Sequence, residues 1–148
     1  MVSNANLLVK QGLLTRPLDF GFVMGAPGAQ ECSLRQLGHL VSMLEPGDTW
    51  TSIGVGKFEM PLAYMAIAMG GHVRVGLEDN NKTPDGKVAT NYDLVKHVAD
   101  VALGLASYHT HPRVTSYHPQ VRHVVDVAFG LGLARVITPS VSWLSPLR

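Results

Sequence analysis

The chain has 148 residues, which is enough to bury one hydrophobic core and too few for two ordinary domains. Its 46% hydrophobic and 16% charged residues are typical of a globular protein with strands buried on both faces. The net charge of +1 argues against nucleic acid or an anionic membrane as a partner. The lone Cys32 excludes an internal disulfide framework. Together with the lack of a leader or a membrane-length apolar run, it favours a soluble protein of the reducing cytoplasm.

Helical and strand patterns alternate along the chain. The helices combine apolar residues spaced by three and four positions with a glycine or proline stop. The strands are short apolar or β-branched runs bounded by turns. In chain order the patterns predict a helix ending at Leu7–Gly12, a strand over Asp19–Gly25, a helix over Ser33–Leu44, a strand over Asp48–Gly54, a helix over Pro61–Met69, a strand over His72–Leu77 and a helix over Tyr92–Leu105.

This alternation predicts an α/β fold built from successive right-handed βαβ units, with the three strands parallel and adjacent. Three such units fit either an open doubly wound sheet or a barrel, and periodicity does not choose between them. In both architectures, ligand-binding residues gather at the carboxyl ends of the strands.

An internal repeat lies in the last third of the chain. Residues 95–105 recur as residues 121–131, with eight of the eleven paired positions identical at a constant offset of 26. Two copies are too few for a solenoid, so we predict a duplicated terminal helix, of which only one copy occupies the final helix position. The chain then divides into residues 1–106, a linker over 107–119, and residues 120–148 with the repeated helix and a tail.

Two adjacent carboxylates, Glu78 and Asp79, follow the third predicted strand. Carboxylates beside an apolar strand are costly unless a cation holds them, and Arg74 lies shortly before both. Since side chains alternate along a strand, Arg74, Gly76 and Glu78 are expected to share one face, with Gly76 leaving room for a ligand. The residues alone leave two alternatives open, a structural ion pair and a site for a substrate anion.

The run Arg74–Asn80, Arg-Val-Gly-Leu-Glu-Asp-Asn, resembles the β-keto acid cleavage enzymes, a family of zinc-dependent (β/α)₈ TIM barrels whose best-described member acts on 3-keto-5-aminohexanoate. This run is the most specific part of the resemblance, which covers roughly the first hundred residues. The other matching stretches are Phe22–Gly25, Pro46–Trp50, Ile53–Lys57, Gly70–His72, Gly86–Asn91 and Leu94–Val95.

The resemblance implies roles for three residues. Glu78 matches the glutamate that joins two histidines in binding a catalytic zinc ion. Asp79 and Arg74 match the aspartate and arginine that promote deprotonation of the keto acid. The family transfers an acyl group between a β-keto acid and a coenzyme A thioester, typically acetyl-CoA, giving acetoacetate and a new acyl-CoA. In this chemistry zinc polarises the keto oxygen while a base removes the α-proton.

The resemblance also implies that the chain supplies the last three of eight βα units. The family's zinc histidines form a His-x-His pair on an early strand with no counterpart here. We therefore expect a fragment or truncated copy that is inactive alone, from a family of homo-oligomers. His109-Thr-His111 has the same form, but it follows the last predicted helix of the family-like part and is expected to lie in a solvated tail.

Three further residues are candidates for substrate or cofactor binding. Gly54 and Gly56 follow the second predicted strand, where backbone N–H groups can hold phosphate, although a tight βα turn explains them equally well. Asn80 follows the two carboxylates. Two other functions stay open: a non-catalytic remnant, and a nucleotide-binding α/β domain in which Glu78 or Asp79 holds a ribose.

Overall fold

In a computed structural model, the protein is described over residues 1–109, 126–130 and 133–137. The described helices are α1 (Val2–Lys10), α2 (Leu34–Ser42), α3 (Glu59–Ala68) and α4 (Asn91–His109), and a short 3₁₀ turn spans Gly56–Phe58. The described strands are β1 (Asp19–Met24), β2 (Thr49–Gly54), β3 (His72–Val75), β4 (Asp126–Gly130) and β5 (Leu133–Ile137).

Strands β1, β2 and β3 lie side by side and run parallel, as the βαβ pattern predicts. In their register Val23 pairs with Ile53, and Ile53 pairs with Arg74. Each strand is followed by a helix, so the carboxyl ends of all three strands meet at one edge of the sheet. The α/β prediction is therefore confirmed for this part of the chain.

The other side of β3 carries an arrangement that the repeat does not predict. Strand β5 pairs antiparallel with β3, and β4 pairs antiparallel with β5. The predicted helix over residues 121–131 is wrong for Asp126–Gly130, which is a strand, while residues 121–125 and 131 lie outside the described part. Val127 and Phe129 alternate with smaller or polar residues, a pattern that also suits a strand. Because the edge of β3 offers unpaired backbone groups, strand pairing there overrides the helical periodicity.

One hydrophobic cluster joins the sheet to its helices. In β1 the side chains alternate between exposed and buried, with Phe20, Phe22 and Met24 pointing into the cluster. Leu37 of α2 and Leu62 of α3 are fully buried against the same face. Each such apolar side chain contributes about 1.5–3 kcal/mol on burial. The opposite face of the sheet carries Arg74 together with Val23 and Ile53, which are its neighbours in the strand register.

The helix boundaries differ from the predicted ones in two places that bear on function. Helix α3 begins at Glu59 rather than at Pro61. A proline is tolerated in the first turn because the N–H groups of that turn have no partner within the helix. Helix α4 extends to His109, three residues into the linker predicted over 107–119. None of the described helices is long and apolar enough to cross a membrane.

Candidate active site

The turn after β3 carries both candidate carboxylates. The strand ends at Val75, so side-chain alternation does not continue to Glu78 as the sequence suggested. Instead the Gly76 carbonyl accepts hydrogen bonds from the N–H groups of Asp79 (3.0 Å) and Asn80 (3.1 Å). These bonds fold the chain back towards the strand. Glu78 therefore lies in a turn just beyond the carboxyl end of β3 and not in a helix.

Arg74 binds both carboxylates. Its Nη2 donates to Asp79 Oδ2 at 2.7 Å and to Glu78 Oε2 at 3.0 Å, and its Nε donates to the same Asp79 oxygen at 3.2 Å. The structure thus brings together the three residues that the sequence singled out. The contact to Asp79 is the stronger one, because two nitrogens of a single guanidinium converge on one oxygen.

The two ion pairs differ in their exposure to solvent. The Asp79 side chain is 10% exposed, whereas the Glu78 side chain is 65% exposed. An ion pair at an exposed carboxylate contributes at most about 1 kcal/mol, so Glu78 can leave Arg74 at little cost. Asp79 is held in place, and Glu78 is available to a ligand. The arrangement puts a largely buried carboxylate, a guanidinium and an exposed carboxylate at one strand end.

Glu59 is a residue of this site that the sequence analysis missed. It is 1% exposed, and its two carboxylate oxygens accept hydrogen bonds from Gly76 N–H (2.8 Å) and Asn80 Nδ2 (2.9 Å). Burial raises its pKa above the ordinary glutamate value, although the two hydrogen bonds oppose that effect. The available signal was a glutamate directly before the apolar run of α3. It was overlooked because the helix was predicted to begin at Pro61, after Glu59.

Asn80, a predicted binding residue, lies at the site but is engaged within the protein. Its Nδ2 donates to Glu59 and also to the Lys82 carbonyl at 2.6 Å, while its Oδ1 accepts from Lys82 N–H at 3.1 Å. These contacts use both ends of the Asn80 amide. They favour a role in shaping the turn over direct binding of a substrate.

Gly54 and Gly56 lie where β2 leads into α3, each with a structural requirement for glycine. A Cβ atom on Gly54 would lie 2.5 Å from the Phe58 carbonyl oxygen, so α3 packs directly on this position. Gly56 has φ +59° and donates its N–H to the Asp79 carbonyl at 2.6 Å. These contacts favour a tight turn. The buried carboxylate of Glu59 at the start of α3 also disfavours phosphate binding there.

The described residues do not form a metal site by themselves. Within residues 1–109 and the two later strands, no group of three or more His, Cys, Asp or Glu side chains is placed to hold a metal ion. Glu78 is one exposed carboxylate, and a catalytic zinc ion usually takes three protein ligands. Of the His109-Thr-His111 pair, His109 ends α4 and His111 lies outside the described residues.

Comparisons with known proteins show the family to which this part of the chain is similar. Residues 1–113 match the family model described as beta-keto acid cleavage enzyme. The 3-keto-5-aminohexanoate cleavage enzymes of Fusobacterium nucleatum and Acetoanaerobium sticklandii are 40% and 38% identical over 103 residues, which are 69% of this chain in both cases and 37% and 38% of the relatives. The 3-oxoadipate:acetyl-CoA acetyltransferase of Cupriavidus necator is 33% identical over 103 residues, 67% of this chain and 36% of that protein.

The chain thus spans little more than a third of the length of these curated relatives. The family match includes β1 to β3, the turn that carries Glu78 and Asp79, and all of α4. It confirms the resemblance seen in the sequence, and the chain belongs to the beta-keto acid cleavage enzyme family.

Proposed function

We propose that the chain carries the Arg–Asp part of the active site of an enzyme that cleaves a β-keto acid with acetyl-CoA, giving acetoacetate and a new acyl-CoA. One observation carries the proposal: at the end of a parallel strand, Arg74 binds the largely buried Asp79 and the exposed Glu78 together. The name of the Cupriavidus necator relative, which pairs 3-oxoadipate with acetyl-CoA, supports the choice of acetyl-CoA as co-substrate.

Asp79 is the proposed base. Its carboxylate would accept the α-proton of the keto acid, and the electron pair of the broken C–H bond would remain in the enolate. Arg74 fixes the direction in which Asp79 points, and 26% of its own side chain stays exposed. The guanidinium can therefore also bind the carboxylate of the substrate, which places the α-carbon near Asp79.

We also propose that the complete enzyme binds zinc and that this chain supplies one of its ligands. Zinc would supply polarisation of the keto oxygen, and Glu78 is the proposed single ligand because its carboxylate is exposed beside the base. The remaining ligands would have to come from outside the described residues, since these hold no cluster of three.

The wider architecture is proposed from the family. We infer that residues 1–106 form the last three βα units of a (β/α)₈ barrel. A linker over 107–119, into which α4 extends as far as His109, and a terminal segment over 120–148, whose strands β4 and β5 join the sheet beside β3, would follow. The parallel order β1-β2-β3, with a helix after each strand, supports this inference. A homo-oligomer acting in the cytoplasm is the proposed state of the complete enzyme.

The proposal is tested with a chimera. In this chimera, the matched section of the Fusobacterium nucleatum enzyme is replaced by the corresponding section of this chain. We expect the chimera to form acetoacetate from 3-keto-5-aminohexanoate and acetyl-CoA, with the unmodified relative as control. The isolated chain should form none, because its described residues include no group of three side chains placed to hold a metal ion.

The measurement is product formation followed by mass spectrometry. A folded chimera without product would contradict the assignment of Arg74 and Asp79 to this chemistry. Turnover by the isolated chain would contradict its proposed incompleteness and would leave the assigned reaction standing.

A further inference from the structure

Glu59 is a buried acid that takes part in no step of the proposed reaction. Its two carboxylate oxygens each accept a hydrogen bond from a neutral donor, Gly76 N–H and the Asn80 amide. A buried carboxylate is costly, so its position in the core needs a compensating interaction. The two hydrogen bonds supply part of it, and the N-terminus of α3, at which Glu59 lies, supplies a favourable dipole.

Both donors belong to the turn that carries the candidate carboxylates. Gly76 and Asn80 stand at the two ends of this turn, with Asp79 between them. A third tie is the hydrogen bond from Gly56 N–H to the Asp79 carbonyl, which comes from the same β2–α3 connection. Glu59 at the start of α3 therefore binds both ends of the turn, and Gly56 in the β2–α3 connection binds the Asp79 carbonyl between them. Its position relative to Arg74 depends on these contacts.

We propose that Glu59 is a positioning residue that holds the turn so that Asp79 meets Arg74. This inference rests on the proposed function of the Arg74–Asp79 pair. Glu59 makes hydrogen bonds to the backbone of Gly76 and the side chain of Asn80, and through these two residues it fixes the position of Asp79. Loss of either hydrogen bond would loosen one end of the turn and widen the distance between the Asp79 carboxylate and the guanidinium.

The chemistry of the donors defines a repair experiment. Glu59→Gln leaves one acceptor oxygen, which can still serve Gly76 N–H, but it points an NH₂ group at the NH₂ group of Asn80. Asn80→Asp alone sets two carboxylates against each other. The double variant Glu59→Gln/Asn80→Asp restores a donor facing an acceptor at the contact between residues 59 and 80 and keeps the net charge of the wild type, while the Lys82 carbonyl loses the donor that Asn80 supplies.

The readout is the Arg74 Nε–H signal in ¹⁵N NMR of the full 148-residue chain. In Glu59→Gln we expect this proton to exchange with water roughly tenfold faster and its signal to move towards that of an exposed arginine, because the bond to Asp79 is weakened. The double variant should move the signal back towards that of the wild type, because the hydrogen bond between residues 59 and 80 is restored. Glu31→Gln, which removes an exposed carboxylate, is the matched control and should change nothing.

An unchanged Arg74 signal in folded Glu59→Gln would overturn the proposal and leave Glu59 as a core residue only. If Glu59→Gln does not fold, the double variant decides. A folded double variant whose Arg74 signal lies nearer to that of the wild type than to that of an exposed arginine supports the positioning role, whereas one that is unfolded or has the signal of an exposed arginine overturns it. Because no substrate is involved, this outcome is independent of whether the chimera cleaves a β-keto acid.

Discussion

Asp79→Asn in the chimera is expected to lower kcat by roughly 10²- to 10⁴-fold, the contribution of a positioned general base. The amide keeps the size of the carboxyl group and can still accept a hydrogen bond from Arg74, so the turn should remain in place. It has no basic oxygen for the α-proton. The expected loss is therefore in kcat, with little change in the KM of the keto acid.

Glu78→Gln is the matched variant for this prediction, since it changes the neighbouring carboxylate of the same turn in the same way. It should lower the zinc content of the purified chimera, measured as metal per chain after dialysis, whereas Asp79→Asn should leave the zinc content unchanged. An Asp79→Asn chimera that keeps kcat within about threefold of the starting chimera would exclude Asp79 as the base.

The largest effect on stability is expected at Asp48. Its side chain is fully buried, with Oδ1 accepting from Leu18 N–H at 2.9 Å and Oδ2 accepting from Glu45 N–H at 3.1 Å. Arg16 binds the same carboxylate and also Asn6 of α1. Asp48→Ala leaves these donors unpaired and should lower the free energy of unfolding by about 3 kcal/mol, measured by urea denaturation at pH 7.

The pH dependence of this loss follows from the pKa of Asp48. Burial alone would raise that pKa, but hydrogen bonds from Leu18, Arg16 and Glu45 outweigh burial and hold it below the ordinary aspartate value. The stability that the Asp48 carboxylate contributes is fully present above the unfolded-state pKa of about 3.9. It is lost as the pH falls through the lower pKa that Asp48 has in the folded state. The difference between wild type and Asp48→Ala should therefore shrink below about pH 4.

Asp85 provides the control for Asp48. Hydrogen bonding to Lys87 and Thr83 lowers its pKa to about 2, but its side chain is 54% exposed. Solvent screens this ion pair, so Asp85→Ala should leave the urea midpoint unchanged. If the two alanine variants lost the same stability, burial of the Asp48 carboxylate would not be the cause of its effect.

The parallel part of the fold was predictable because its signals are local. Apolar runs such as 19–24 and 49–54 end at glycine turns, and the helices between them bury regular stripes. Arg74 could be linked to Glu78 and Asp79 because only a few residues separate them in the chain. The way in which the contact forms was not predicted. A longer strand with alternating side chains was expected, whereas a turn beginning at Gly76 brings the two carboxylates to Arg74.

Glu59 could not be placed from its neighbours in sequence. Its partners, Gly76 and Asn80, are 17 and 21 residues away and meet it only because α3 packs beside β3. The helix predicted for residues 126–130 was wrong for a related reason. This segment is identical at four of five positions to residues 100–104, which are helical in α4, yet it forms a strand because its partner β5 lies along the edge of β3. Pairing over such distances in sequence is decided by tertiary contacts.

Arg74 and Asp79 are proposed to act as one unit in deprotonating the keto acid. The most direct test is the kcat of the double variant Arg74→Met/Asp79→Asn in the chimera. Both single variants are expected to lower kcat strongly, Arg74→Met because Asp79 loses the guanidinium that directs it. If the pair acts as one unit, the double variant should lie within about threefold of the slower single variant. Losses that multiply, so that the double variant is slower by the product of the two single effects, would contradict it.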